Sequence, residues 1–241
     1  MVDYGVELFK LSKDQFKLYF DTLFRLRSEV RIELFPEKNH VYVRAVNKEK
    51  TLMSELILNV TPKEMVGVEI PLESIMKLSP KKDVTFYRLG NQVTLKNEDF
   101  ILKVTTLDER VSQLSEVAEM PEIEFTSYLY LDKPVIERWY DFFKAIKAED
   151  GVEFMFKDGE FTVGGKAETE SDRLELPAVQ TDQPDCEVVI PISVLIDAFA
   201  HWKVYDTVKI AVADRMPLYL EFGSDLLKIT TLIAPIYRDD D

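Results

Sequence analysis

Cysteine is nearly missing from this chain, with Cys186 the one thiol in 241 residues. A single cysteine excludes an internal disulfide framework and suits a reducing compartment. Histidine is almost as scarce, with only His40 and His201. One Cys and two His do not make a zinc-site signature, so no metal is expected. Glycine is limited to 8 residues, and no P-loop, GxGxxG or G-x-S-x-G occurs. The pair Gly164-Gly165 sits in a strand-like segment and is read as a β-bulge. No run approaches the roughly 20 apolar residues of a membrane helix. The opening Met1-Val-Asp-Tyr-Gly5 carries an acid and does not resemble a secretory leader. The expectation is a soluble intracellular protein with no cofactor and no membrane partner.

Positive charge is also in short supply. Thirty Lys and Arg stand against 44 Asp and Glu, a formal charge of −14. A protein that contacts nucleic acid replaces phosphate counterions with basic groups. This chain can do so only if its few basic residues gather on one face. Apolar residues are plentiful at 46%, enough for one large domain or two of about 120 residues.

The chain reads as a duplication. Leu102-Lys-Val-Thr-Thr-Leu107 recurs 125 residues on as Leu227-Lys-Ile-Thr-Thr-Leu232. Pro71-Leu-Glu-Ser-Ile follows Val-Glu-Ile, and Pro191-Ile-Ser-Val-Leu follows Val-Val-Ile 120 residues later. Two ordered matches at nearly one offset point to two similar domains. Each half also carries one long helix. Ser12 and Gln15 form a capping box ahead of an apolar face of Phe16, Phe20, Leu23 and Phe24. Asp132-Lys-Pro134 opens the second, with Ile136, Trp139, Tyr140, Phe143 and Ile146 on one face. Shorter helices begin near Pro71 and Pro191. Period-two runs fill the remainder, from Val30–Leu34 to Ile101–Leu107 and from Val152–Phe156 to Leu227–Ile233. Turn signals stand at Gly90-Asn91, Asp158-Gly159 and Gly223-Ser224. The fold class is α+β: two tandem domains, 1–107 and 124–241, each with two helices on antiparallel sheets. They are joined by an acidic connecting segment, 108–123.

No catalytic constellation appears. Glu149, Asp150 and Glu153 are the strongest candidates for an acidic, metal-using site, and they read more simply as a solvated turn. A duplicated fold without a reactive cluster suggests a scaffold or binding module rather than an enzyme.

Several stretches carry a resemblance to a known family. Ile233-Ala-Pro-Ile236 before an acidic tail resembles the "(L)APK(I/V)" segment of the DNA sliding clamps of the proliferating cell nuclear antigen type. Met216-Pro-Leu-Tyr-Leu-Glu-Phe222 looks like that family's "PL-x-(L/V)-E-(Y/F)" strand. Ala45 to Met53 sits where the family has "A-M-D-x-S-x-V-x-L", and Ser74-Ile-Met-Lys77 is similar to its "KILK" helix. The likeness spans nearly the whole chain at low identity. It implies a non-enzymatic ring of three subunits, homotrimer or heterotrimer, closed around double-stranded DNA. Helices would line the hole, and a DNA polymerase would be tethered to the ring. A clamp loader, flap nuclease and ligase would dock through short hydrophobic peptides. The alternative is a clamp-like subunit of a heterotrimer specialised for repair or damage signalling. Location would be the cytoplasm in an archaeon or the nucleus in a eukaryote.

The resemblance also assigns sites. The peptide pocket would use Val46, Thr51 and Met53 as floor. Met120, Pro121 and Phe125 would close it, Pro217 would flank it, and Ile233, Ala234, Pro235 and Ile236 would form one wall. DNA would face Lys13, Lys17 and Arg25 of helix one and Lys77, Lys81 and Lys82 at the end of helix two. Arg138, Lys144 and Lys147 of helix three would join them. Helix four is poor in basic residues, with Ser193 and Asp197 on its polar face. Thr51 and Glu119 are polar where the family's pocket rim is usually apolar. Subunits would meet through edge strands carrying Phe100, Leu102 and Val104 on one side and Arg173, Leu174 and Leu176 on the other.

Overall fold

The computed structural model describes residues 3–26, 29–35, 40–46, 51–63, 68–106, 120–146, 151–166, 173–200, 202–225 and 227–236. The chain divides into two compact units. One is Met1–Met120 with Asp225–Lys228, and the other is Pro121–Ser224 with Ile229–Asp241.

The first unit runs β1 (Val6–Leu11), α1 (Lys13–Leu26), β2 (Glu29–Phe35), β3 (His40–Val46), β4 (Leu52–Leu58), β5 (Val68–Pro71), α2 (Leu72–Met76), β6 (Val84–Leu89), β7 (Gln92–Lys96) and β8 (Ile101–Thr105). Its strands pair in the orders β5-β2-β3-β4 and β1-β6-β7-β8. The second unit runs β9 (Ser127–Asp132), α3 (Lys133–Ala145), β10 (Val152–Lys157), β11 (Glu160–Lys166), β12 (Arg173–Glu175), β13 (Val179–Gln180), β14 (Cys186–Ile190), α4 (Ile192–Phe199), β15 (Thr207–Val212), β16 (Leu218–Gly223) and β17 (Leu227–Ile233). Its orders are β14-β10-β11-β12 and, with the Ile229–Ile233 part of β17, β9-β15-β16-β17. The short β13 is an addition that pairs with β11. Strand for strand, the two units share one topology. The repeated "LK(V/I)TTL" motif falls on β8 and β17, which are equivalent strands.

Local chemistry explains the helix starts. The Ser12 N–H donates to Gln15 Oε1 at 3.0 Å while the Gln15 N–H donates to Ser12 Oγ at 3.2 Å. This satisfies two exposed donors of the first turn. At α3, Asp132 accepts from the Val135 N–H at 3.3 Å, and Pro134 stands in the first turn. The turn Asp158-Gly159 has φ of 53° and 81°, the mirror-image geometry that joins twisted antiparallel strands in two residues.

Three expectations change. Phe24 is 46% exposed, and Tyr19 (0%) joins Phe16, Phe20 and Leu23 in the core instead. On a 3.6-residue helix, positions 19 and 24 flank the stripe set by 16, 20 and 23 at equal angles on opposite sides, so the packing around α1 rather than the helical period decides which is buried. Gly164-Gly165 is not a bulge, since both keep regular partners, Gly164 opposite Glu175 and Gly165 opposite Leu174. Gly165 instead makes room for Ile146, because a Cβ there would come within 3.0 Å of the Ile146 Cδ1. Finally, α2 ends at Met76 with Lys77 as its C-cap. Lys81 and Lys82 therefore lie beyond the helix, in the turn before β6.

Each unit buries an aromatic cluster beneath its helices. In the first, Phe86 lies 4.5 Å from Phe9 and 5.9 Å from Phe20, ring centre to ring centre. In the second, Trp139 is ringed by Phe143, Phe154, Phe161 and Phe199 at 6.0–6.4 Å.

Candidate functional site

The sequence suggested three surfaces, and each is described within its own unit. The helical surface comes first. In α1, the buried stripe of Phe16, Tyr19, Phe20 and Leu23 leaves Lys13 and Lys17 exposed along its flank. They share it with Asp14 and the half-buried Asp21. Lys17 and Lys13 border a groove of ≈ 330 Å³ whose other side is Ile75, Met76, Leu78 and Pro80. Lys77 is exposed at the α2 C-cap, where a cation suits the helix dipole. In α3, Arg138 and Lys144 are exposed, and Lys144 pairs with Asp141 at 2.7 Å. The Asp141 carboxylate raises the Lys144 ammonium above its ordinary pKa. Lys147 lies outside the described residues, as do Glu149, Asp150 and His201. Arg25 belongs to α1, and its side chain is outside the described set.

The docking segment comes second. Within the first unit, Thr51 and Met53 are half-buried at the start of β4. Met53 shares the outer face of that strand with Glu55, which accepts from the Met120 N–H at 3.4 Å. Met120 is thereby brought to the Met53 face. Val46 ends β3, opposite Met53 in register; its side chain lies outside the described set. Glu119 lies outside the described residues, and so do residues 108–118 of the connecting segment. Within the second unit, Pro121 is exposed and Phe125 packs on Tyr219 with ring centres 5.4 Å apart. Pro217 leads into the strand that carries Tyr219.

The terminal segment divides. Ile233 is fully buried as the last residue of β17, so it belongs to the core and offers no wall to a ligand. Ala234 and Pro235 are half-buried, while Ile236 is 36% exposed. The Ile236 N–H donates to the Val189 carbonyl at 2.8 Å. The proline thus ends the ladder of β17, but the chain is caught one residue later rather than left free.

Sequence reasoning missed an aromatic platform beside Phe125. Lys209 lies over the rings of Tyr128 at 4.6 Å, Tyr219 at 5.8 Å and Tyr130 at 6.0 Å. Burial, then the hydrogen bond to Glu221 at 2.8 Å, pushes the Tyr219 phenol up to about 12. The residues come from three strands, and only register unites them. The available signal was alternation in Leu218-Tyr-Leu-Glu-Phe222, which places Tyr219 and Glu221 on the outer face.

The edge strands come third. β8 closes one sheet of the first unit, and β12 closes one sheet of the second. The inward and outward residues of β8 need correction. Val104 is 5% exposed and Leu102 half-buried, so both turn toward the core, whereas Ile101 is 51% exposed. Phe100 is half-buried, with its carbonyl taken by the Asn97 N–H at 3.1 Å. In the second unit, Leu174 is 36% exposed. Leu176 is half-buried, with its N–H bonded to the Val163 carbonyl at 2.9 Å. Arg173 begins β12, and its side chain lies outside the described set.

With this geometry in hand, comparison with solved structures is decisive for the fold. The structure of A. fulgidus PCNA with the C-terminal region of FEN-1 bound superposes with a TM-score of 0.80. The alignment covers 98% of this chain and all of that one at 16% identity. The chain has the sliding-clamp fold. Proliferating cell nuclear antigen from Entamoeba histolytica gives 0.75 at 15% identity, over 97% of this chain and 100% of that one. The PCNA2–PCNA3 complex of Sulfolobus tokodaii gives 0.73 at 18%, over 95% and 99%. No protein-family model and no curated protein sequence matches. At 15–18% identity, the clamp fold survives through its burial pattern and topology, which many different apolar sequences can satisfy.

Proposed function

We propose that this chain is a DNA sliding clamp: a non-enzymatic subunit of a ring that encircles duplex DNA and tethers a polymerase and other DNA-processing proteins. What carries the reading is the end-to-end correspondence with sliding clamps, spanning both units. DNA would be held by topology and by diffuse attraction to helix lysines, with no base readout. Exposed Lys17 and Lys77 are the strongest candidates for that role. The test is retention on a nicked plasmid circle. We expect retention that is lost when the circle is cut, because a ring slides off an open end. The Lys17→Glu, Lys77→Glu double variant should be retained less at equal salt. Equal retention before and after cutting would sink the encirclement.

Partner docking follows from the same reading. The A. fulgidus structure holds the C-terminal region of FEN-1, and this chain would take such hydrophobic peptides beside Ile236. Ile236→Ser should weaken a FEN-1 C-terminal peptide by about tenfold, the scale of one apolar anchor, with the melting temperature kept. Unchanged affinity by fluorescence anisotropy would remove Ile236 from the pocket. A clamp loader, polymerase and ligase belong to the same proposal.

A second reading is a subunit of a mixed ring specialised for repair or damage signalling. It is favoured by the α4 surface, where exposed Ser193 and half-buried Asp197 stand in place of basic residues. The S. tokodaii PCNA2–PCNA3 complex is a heteromer of the same fold.

A further inference from the structure

One edge of the second unit is made of two short strands, β12 and β13, laid end to end along β11. Their registers do not run through. β12 places Leu174 opposite Gly165 and Glu175 opposite Gly164, a count that would set Ala178 opposite Phe161. β13 instead places Val179 opposite Phe161. One extra residue therefore lies between the two strands, the mark of a bulge, and Pro177 stands in that stretch. The hydrogen bonds give the direction of each nitrogen. The Leu176 N–H donates inward to the Val163 carbonyl at 2.9 Å. Backbone groups of an antiparallel pair alternate between the partner strand and the open side. Those of Arg173, Glu175 and Pro177 thus turn to the open side of the sheet. Pro177 is exposed and has no N–H to give.

The edge of the first unit has no such break. β8 runs unbroken from Ile101 to Thr105. The Asn97 N–H donates to the Phe100 carbonyl at 3.1 Å, and the Thr106 N–H donates to the Asn91 carbonyl at 2.8 Å. By the same alternation, Ile101, Lys103 and Thr105 turn their N–H and C=O groups outward. β8 therefore carries a regular row of donors and acceptors. The β12 edge interrupts such a row at Pro177, and the extra residue beyond keeps β13 from continuing it in register. A carbonyl of an incoming strand that falls at Pro177 loses its partner.

We propose that Pro177 sets the strength of the joint between copies of this chain. It shortens the ladder that β12 forms with the β8 edge of a second copy, and so keeps the ring labile. This rests on the clamp reading, in which copies join edge to edge. Proline and bulges are devices by which sheet edges avoid indiscriminate pairing. Here they sit within the edge that has to pair, so they weaken the joint without closing it. Leu174 and Val179, exposed on either side of the break, leave apolar contact to supply part of what the ladder lacks.

Light scattering of the full chain over a concentration series reads the joint. Pro177→Ala restores the N–H without a larger side chain, and Pro177→Val restores it with a residue suited to strands. We expect the concentration at which single chains become rings to fall about tenfold in both, the scale of one hydrogen bond regained. The amide restored at position 177 should exchange slowly with solvent in the assembled protein. It should exchange quickly once Ile101→Asp is added and the protein is returned to single chains. A midpoint left unchanged or raised in the folded variants overturns the inference, as does a restored amide that exchanges quickly in the ring. A protein that stays single in every form overturns it too. Retention on plasmid circles is read separately. Rings that tighten on losing Pro177 but are never retained remove the clamp reading alone. A retained chain whose assembly ignores Pro177 loses this inference alone.

Discussion

Trp139→Ala is expected to destabilise the second unit by about 3–5 kcal/mol, the range for deleting a buried large aromatic. Trp139 is 4% exposed on the inner face of α3. It is the common neighbour of Phe143, Phe154, Phe161 and Phe199, which come from α3, β10, β11 and α4. Removing the indole leaves a cavity bordered by side chains that are themselves fully or nearly fully buried, so the site has little scope to collapse. The aromatic pair energies are lost as well. For a unit of this size, the melting transition should fall by about 12 °C or more. Tyr130→Ala is the matched control. Tyr130 is 70% exposed, and its loss should cost less than about 0.5 kcal/mol, as for other surface sites. Urea unfolding followed by far-ultraviolet circular dichroism checks both. A cost for Trp139→Ala near that of the control would show that the cluster does not hold the unit together.

The second large effect concerns assembly. If the chain closes into a self-sufficient ring, light scattering should give three times the 28.0 kDa chain mass. Ile101→Asp should return the protein to single chains. Ile101 is 51% exposed on β8, at the edge of its sheet. An open edge with an exposed apolar side chain invites pairing with another chain. The complementary edge, β12, offers exposed Leu174. A head-to-tail contact between such edges closes into a ring when the rotation per subunit is right. An aspartate trapped in that contact would be an unpaired buried charge, costing several kcal/mol. The same substitution leaves the isolated unit intact, because the side chain points away from the core. A wild-type mass of one chain at every concentration would exclude the homomeric ring and leave the mixed ring. A trimer that survives Ile101→Asp would move the contact away from β8.

Much of this was legible along the chain because it is local. Capping residues at Ser12 and Asp132 act within one helical turn, and turn glycines act within two residues. The duplication is legible because equivalent strands keep equivalent apolar spacing, as in "LKVTTL" and "LKITTL". Two of the strands that escaped, β1 and β9, did so for a local reason of the opposite kind. In β1, the register shifts between Glu7 and Phe9, so Leu8 and Phe9 are both buried at 1% exposure. A bulge breaks the period of two that reveals a strand. In β9, Tyr128-Leu-Tyr-Leu131 is apolar on both faces and shows no alternation at all.

The sequence by itself determined the class of the fold, the duplication, the helix starts and the absence of disulfide chemistry. Each of these depends on residue type and short-range spacing. Only the tertiary structure decided which residues face outward. It turned Ile233 into core and left Ile236 at the surface, and it made Ile101 rather than Val104 the exposed residue of its edge. Lys81 and Lys82 moved off the helix, into the turn before β6. Those outcomes depend on register and on where strands distant in sequence come together. One-residue changes in register exchange the two faces of a strand, and no local pattern carries that information.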